Sequence, residues 1–527
     1  MFDQRLSSVR RALAIVASVV LVSVAVSTAP TVASATKSRG TAEISVMSFN
    51  IFYGGDELDL TTGGFCEVPD SCDETLQTVI ATIKDSGADV VGVQEAERNT
   101  RHIAEALGWY YNERSHLVSR FPLIDPPGAD GLYAFVEVSP GRVVAIANLH
   151  LTSDPYGPYA VRDGASADEV LALEHSVRMP DIQSLLGALP DLANQGIPVF
   201  VTGDFNSPSH LDWTTAVADV RPDVPYALAW PVSQTLAAAG LHDSYRDVYP
   251  DPIAKPGFTW TPGGPESAPE GQEVFDRIDR VLASGQATTT ASKIVGEVGG
   301  PDVDIGIARY PSDHRAVVST FEVRPVSPKP FVAVAQRRAF VGDRLSVDVH
   351  APSQRGVRLG LRKIDSHEQR DLVAVQNVPR GADIRVDFAT GRLRPGDYEV
   401  VLVAGKHDII SRSPFWLYKP GTPPSVKTSE RSYDVGEPID VSWNAAPGIR
   451  RDWIAVYRCV DGGECEPNSQ YLVWAYTQAA IEGRLEVGPD SFGGIETWPL
   501  PPGRYVVRLL TDDSFVDLAT SKRFTIR

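Results

Sequence analysis

Cysteine and methionine are scarce: the 527-residue chain has four of the first and three of the second. No CxxC pair occurs, which argues against a structural zinc centre. Cys66 and Cys72, and likewise Cys459 and Cys465, sit close together in stretches rich in Gly, Pro and Asp. Two local disulfides are the expected pairing, in an oxidising compartment. Basic charge is short in the first part. From Thr36 to Pro325 there are 19 Lys and Arg against 41 Asp and Glu, a net of −22, whereas Val326 to Arg527 holds 27 against 25. That balance argues against tight electrostatic capture of duplex nucleic acid. Long apolar runs are also missing. The most continuous one, from Ala12 to Val26, falls short of the roughly 20 residues that span a bilayer. Arg5, Arg10 and Arg11 precede it and Ala33-Ser34-Ala35 follows it, so residues 1–35 read as an export signal and the protein is expected outside the cell.

What is present points to several domains, because 527 residues exceed one hydrophobic core. The 43 Gly and 40 Pro favour strands and loops over long helices. Between Glu43 and Val323, strand-like stretches (Ile44–Asn50, Asp89–Gln94, Arg142–Leu151, Pro198–Gly203) alternate with helix-like ones. Leu76, Val79, Ile80 and Ile83 have the spacing of one helix face, and Ser166–Leu189 reads as helix with a break near Pro180. RPVSPKP at 324–330 and KPGTPPS at 419–425 mark linkers. Beyond the first linker only short strands and turns are visible. LRPGDYEVVLV from Leu393 matches LPPGRYVVRLL from Leu500, and VGDRLSVDV from Val341 echoes VGEPIDVSW from Val435. The expected order is therefore an α/β domain at 36–325 and two copies of an immunoglobulin-like β-sandwich at 326–420 and 421–527.

Six polar clusters follow apolar strands in the first domain: SFN at 48–50, QE at 94–95, NLH at 148–150, GDFN at 203–206, RID at 277–279 and SDH at 312–314. Strand ends are where α/β sheets place ligand sites. The clusters supply carboxylates, amides and imidazoles without cysteine or lysine, which suits a hard divalent cation and phosphoryl chemistry. Each cluster alone has a plainer reading. Asn50 is a common turn residue, Glu95 a solvated strand end, and His150 a core histidine; Asp204 and Asn206 shape a turn, and Asp279 pairs with Arg277 or Arg280. Their joint occurrence, each behind a strand, favours one convergent site.

In these blocks the sequence resembles the endonuclease/exonuclease/phosphatase superfamily, the fold of pancreatic-type deoxyribonuclease. SFNI, VQE, SRFP (119–122), NLHL, GDFNSP, DRIDRV and SDHRAV carry the likeness, and Arg178 with Gln183 looks like that family's Arg-to-Gln helix. The resemblance implies a four-layer α/β sandwich, two packed mixed sheets flanked by helices. It implies that Glu95 binds the metal, Mg²⁺ with Mn²⁺ or Ca²⁺ as alternatives, and that Asn50 beside it holds a ligand or the phosphate. Asp313 is expected to orient His314, which acts as general base or as a charged phosphate stabiliser. Asp204 is expected to position the nucleophile, Asn206 to hold a phosphoryl oxygen, and His150 to contact the phosphate or protonate the leaving group. Asp279 is expected to position a histidine or the phosphate. Only 24 residues separate Glu95 from Arg120, so the substrate-facing hairpins are expected to be trimmed.

The functional expectation is a secreted, monomeric, metal-dependent phosphoesterase acting on a nucleic acid, a phospholipid or a small phosphate ester. The alternative is a non-catalytic binding protein with a retired catalytic domain. The modules are expected to contact a cell surface, polysaccharide or lipid, or to act as spacers. The aromatics of DWIAVY (452–457) and YLVWAY (471–476) form either a ligand face or, as alternating aromatics usually do, sandwich core. The Cys66–Cys72 loop is expected either at the rim of the site or as a structural staple.

Overall fold

A computed structural model describes residues 40–527 except 69–70, 261–272, 353, 355, 365–371, 406–407, 461–463, 490 and 494–497. The export signal expected at 1–35 lies outside the described residues. Six strands position the candidate site: β1 (Ala42–Asn50), β2 (Val90–Gln94), β3 (Arg142–His150), β4 (Val199–Asp204), β5 (Asp279–Ser284) and β6 (Ala316–Val323). β1 lies in a seven-stranded sheet, parallel to β2 and antiparallel to β6. β3 lies parallel to β4 in a six-stranded sheet, and β4 runs antiparallel to β5.

The apolar alternation of these strands explains how the sheets face each other. Ile44, Val46 and Val90 from the first sheet share a buried core with Val144, Ile146, Phe200 and Val281 from the second. Phe200 meets Phe321 across it with ring centroids 4.8 Å apart. The opposite face of the first sheet packs on helix α1 (Asp73–Ser86), whose Leu76, Val79, Ile80 and Ile83 are buried as their spacing requires. α1 ends at Gly87, which takes the left-handed conformation (φ 75°) that glycine tolerates. The outer face of the second sheet covers Leu185, Leu189 and Leu192 of helix α2 (Gln183–Asn194). A buried polar link joins the sheets: Gln94 Nε2 donates to Asn148 Oδ1 (2.6 Å), which also accepts from Thr202 Oγ1 (3.0 Å). Gly92 makes room for it, since a Cβ there would fall 1.9 Å from Thr202 Oγ1.

Beyond residue 330 the described residues form paired sheets, with a 3₁₀ turn at Asn468–Gln470. Residues 331–418 build a three- and a five-stranded sheet, and residues 425–526 build a three-stranded sheet beside a larger one. The repeated sequence folds equivalently. Tyr398 donates its hydroxyl to the Arg394 carbonyl (2.8 Å) and Tyr505 donates to the Pro501 carbonyl (2.6 Å), each four residues back. Both expected disulfides, Cys66–Cys72 and Cys459–Cys465, are formed. No described helix is long and apolar enough to cross a membrane. The α/β sandwich and the all-β half belong to one compact unit running from Lys37 to Arg527.

Candidate active site

The C-terminal ends of β1 to β5 and the loop before β6 converge. Asn50, last in β1, donates Nδ2 to Glu95 Oε1 (2.9 Å) and to Asp204 Oδ2 (3.0 Å). Its Oδ1 accepts the Phe52 amide (3.1 Å). Asn50 thus holds two carboxylates together and turns its nitrogen, not its oxygen, toward them. Glu95 sits just past β2 with φ 53°, a conformation that costs a non-glycine residue roughly 1–3 kcal/mol. The Tyr53 amide compensates by donating to Glu95 Oε2 (2.8 Å). Asn206 has φ 45° and is pinned the same way, its amide on Asp204 Oδ1 (2.9 Å) and its Nδ2 on the Leu151 carbonyl (3.0 Å).

Over this floor stand two imidazoles. His150 Nε2 lies 3.5 Å from Asp204 Oδ2 and 3.9 Å from Glu95 Oε1. His314 Nε2 lies 3.6 Å from Asp204 Oδ2, and its Nδ1 bonds Asp279 Oδ2 at 2.9 Å. The resemblance gave the orienting carboxylate to Asp313; the structure gives that hydrogen bond to Asp279, because β5 delivers a fully buried carboxylate directly beneath the ring. Nor does Asp279 pair with its sequence neighbours. Arg277 binds Asp212 and Asp243 (2.8 Å each), and Arg280 donates to the Ser207 carbonyl (3.1 Å).

Burial alone would lower the basicity of His314, but Asp279 and Asp204 outweigh it and hold the ring protonated well above its ordinary range. Burial pushes His150 down to about 4, against the pull of Asp204 and with help from Arg451. Burial raises Asp204, opposed chiefly by His314. Asp313 is pushed up to about 7 by burial, with Glu95 and Asp204 adding to the effect of enclosure. A neutral imidazole, a charged imidazole and several crowded carboxylates thus share one enclosure.

The sequence pattern of the Endonuclease/Exonuclease/phosphatase family matches residues 47–314, just over half of the chain. The chain belongs to this family of phosphoric ester hydrolases. An uncharacterised Caenorhabditis elegans protein, F14F9.5, is 29% identical over 307 residues, 53% of this chain and 91% of that protein. Among solved structures, truncated C. elegans TDP2 is 18% identical over 53% of this chain and 97% of its own, with a TM-score of 0.29. A mannosyl-6-phosphatase of Bacteroides thetaiotaomicron is 15% identical over 53% and 99%, also with a TM-score of 0.29.

Within the family's stretch, several supports went unread in the sequence. Thr259 Oγ1 accepts the amides of both Ile278 and Asp279 (3.0 Å each), which fixes the carboxylate under His314. Ser312 Oγ donates to the Asn50 carbonyl (2.7 Å) and accepts the His314 amide (3.0 Å), joining the first and last blocks. Trp260 packs against His314 with ring centroids 4.8 Å apart. Only Ser312 lay inside a block that the sequence singled out. Arg178 is structural: it caps the helix before α2, binds Glu174 (2.6 Å) and donates to the Ser153 and Pro155 carbonyls. Gln183 lies beyond a 3₁₀ turn at Pro180–Ile182, so the two residues belong to separate helices. Phe65, beside Cys66, packs on Tyr53 (5.7 Å between centroids), which places the disulfide segment at the rim.

Glu95, His150, Asp204, Asn206, Asp313 and His314 line one cavity of about 630 Å³. Atoms of Asp204, Asp279 and His314 that can ligate a metal lie within 4.8 Å of one another. In that trio Asp279 Oδ2 already bonds His314 Nδ1, whereas its buried Oδ1 has no hydrogen-bond partner among the described residues. The oxygen-rich side, where Glu95 meets Asp204 beneath the cavity, has the donor set a hard divalent cation prefers.

Proposed function

We propose that the protein is a secreted, divalent-metal-dependent phosphoesterase that hydrolyses a compact phosphoester by in-line attack of water. The observation that supports this most is the meeting of Glu95, Asp204, His150 and His314 around one cavity. Glu95 would hold the cation, with Asn50 keeping its carboxylate in place. When bound, the cation supplies charge neutralisation on the phosphoryl oxygens. The chain's own groups do the rest. Asp204 orients the attacking water, His314 as imidazolium faces the developing phosphate charge, and Asn206 holds a phosphoryl oxygen. His150, neutral, contacts the phosphate. Asp279 positions His314, and Asp313 faces the phosphate side of the cavity. Such positioned electrostatic groups commonly supply much of the rate of phosphoryl transfer.

We also read the α/β half as four layers within 36–325, and the repeats at 326–420 and 421–527 as immunoglobulin-like, the paired tyrosine hydrogen bonds supporting the latter. The two disulfides support an extracellular setting. A monomer with surface contacts through the modules completes the reading. The test is a panel of DNA, RNA, sphingomyelin, sugar phosphates and bis(p-nitrophenyl) phosphate, each with Mg²⁺ and with EDTA. Metal-dependent turnover of compact esters is expected. No metal-dependent turnover of any of them would favour the non-catalytic reading.

A further inference from the structure

The cavity has a wall that the catalytic strands do not build. Trp453, Tyr471, Trp474 and Phe515, all from residues 421–527, face it together with Arg450 and Arg451. The four rings touch one another, with centroids 5.3 Å apart for Trp453–Tyr471 and 6.4 Å for Tyr471–Trp474. The alternating aromatics were expected to form either a ligand face or sandwich core; here one face of that alternation borders the catalytic cavity. The wall is bonded to the catalytic side. Arg451 donates to the carbonyl of His150 (2.7 Å) and to Asp513 (2.9 Å). Arg114 Nε donates to the Gly448 carbonyl (2.8 Å), and His116 pairs with Asp512. The short loop where longer substrate-facing hairpins were missed is thus occupied by the sandwich.

Three guanidiniums crowd this junction. Arg114 is paired with Asp125 and Arg451 with Asp513. The guanidinium of Arg450, which borders the cavity, forms no hydrogen bond or ion pair among the described residues. Burial, with Arg451 and Arg114 as like charges, pushes it down to about 10, and Asp130 attracts it only from beyond ion-pair distance. The Arg450 side chain is part-exposed on the cavity wall, and a planar guanidinium is shaped to take an oxyanion by two parallel hydrogen bonds.

We infer that the sandwich at 421–527 is the substrate-reading wall of the active site: it takes a phosphoester whose alcohol is a ring bearing a second anionic group, the ring on Trp474 and Tyr471 and the anion on Arg450. This rests on the phosphoesterase reading above. The cavity has the volume of a small-molecule site, which ranges over roughly 300–1,000 Å³.

The experiment compares glucose 1,6-bisphosphate with glucose 6-phosphate on the full-length protein with Mg²⁺, for wild type, Arg450→Gln and Arg450→Lys. The wild type prefers the bisphosphate in kcat/KM. Arg450→Gln is expected to lower that preference about tenfold or more through KM, with Arg450→Lys in between. An unchanged ratio in Arg450→Gln overturns the inference. Calorimetric binding of both sugar phosphates to the same proteins separates the two readings. Bisphosphate-selective binding that Arg450→Gln abolishes, without turnover, sinks hydrolysis but supports the wall. Turnover with equal affinity for both sugars, or no binding of either, sinks the wall.

Discussion

Asp279→Asn changes almost nothing in shape and one thing in charge. In the wild type a fully buried carboxylate lies 2.9 Å from His314 Nδ1. The asparagine oxygen still accepts from Nδ1–H, so the ring stays oriented while its counter-charge disappears. Two unit charges about 4 Å apart interact by about 4 kcal/mol at an effective dielectric constant near 20. If half or more of this reaches the transition state through the imidazolium, kcat falls roughly 30- to 10³-fold, since about 1.4 kcal/mol is tenfold. The sign of the pH effect follows. Asp279 raises the basicity of His314, so its removal lets the proton leave at lower pH, and the alkaline limb of the rate profile moves toward acid. The assay is kcat against pH with Mg²⁺ and bis(p-nitrophenyl) phosphate, with circular dichroism to check the fold. A folded Asp279→Asn protein with kcat within about threefold of wild type and an unmoved alkaline limb would refute the reasoning.

His314→Ala should abolish most turnover, and adding Asp279→Asn to it should cost little more, because the two act as one unit; additive losses in a double-mutant cycle would separate them. Phe200→Ala, which removes a fully buried ring between the two sheets, should cost about 3–5 kcal/mol in urea unfolding; a change below about 1 kcal/mol would mean that the sheets do not share that core. Asp452 accepts from the Gly448 and Ile449 amides and from Thr511, yet burial pushes it up to about 7. Its proton is held more tightly folded than unfolded, so its contribution is lost as pH rises from about 4 to 7. Asp452→Asn should therefore gain stability over wild type at pH 8 and show little difference near pH 4; equal effects at both would contradict the assignment.

Much of the site could be read because its chemistry is written locally. Each of Asn50, Glu95, His150 and Asp204 follows a run of buried β-branched residues, so alternation places it at a strand end. The choice between Asp279 and Asp313 as partner of His314 could not be read. It depends on how the end of β5 meets the loop before β6, a distance of 35 residues in sequence. Gln94 and Asn148 sit inside blocks that suggested chemistry, but they link the two sheets, and only the inter-sheet spacing around Gly92 reveals this. Whether Trp474 and Tyr471 face the core or the cavity was left open for a different reason. An aromatic alternation looks the same whether its inner face meets a partner sheet or a cavity. The contact of Arg451 with His150 spans 301 residues and leaves no periodic trace.

On the proposed reading, Glu95 holds a catalytic cation beside Asp204. The most direct measurement is the Mg²⁺ dependence of bis(p-nitrophenyl) phosphate hydrolysis by full-length protein stripped with EDTA, for wild type and Glu95→Gln. Turnover should be absent in the stripped wild type and return with Mg²⁺, and Glu95→Gln should need roughly tenfold more Mg²⁺ or stay inactive. Undiminished hydrolysis in EDTA, or the same Mg²⁺ midpoint for both proteins, would contradict it.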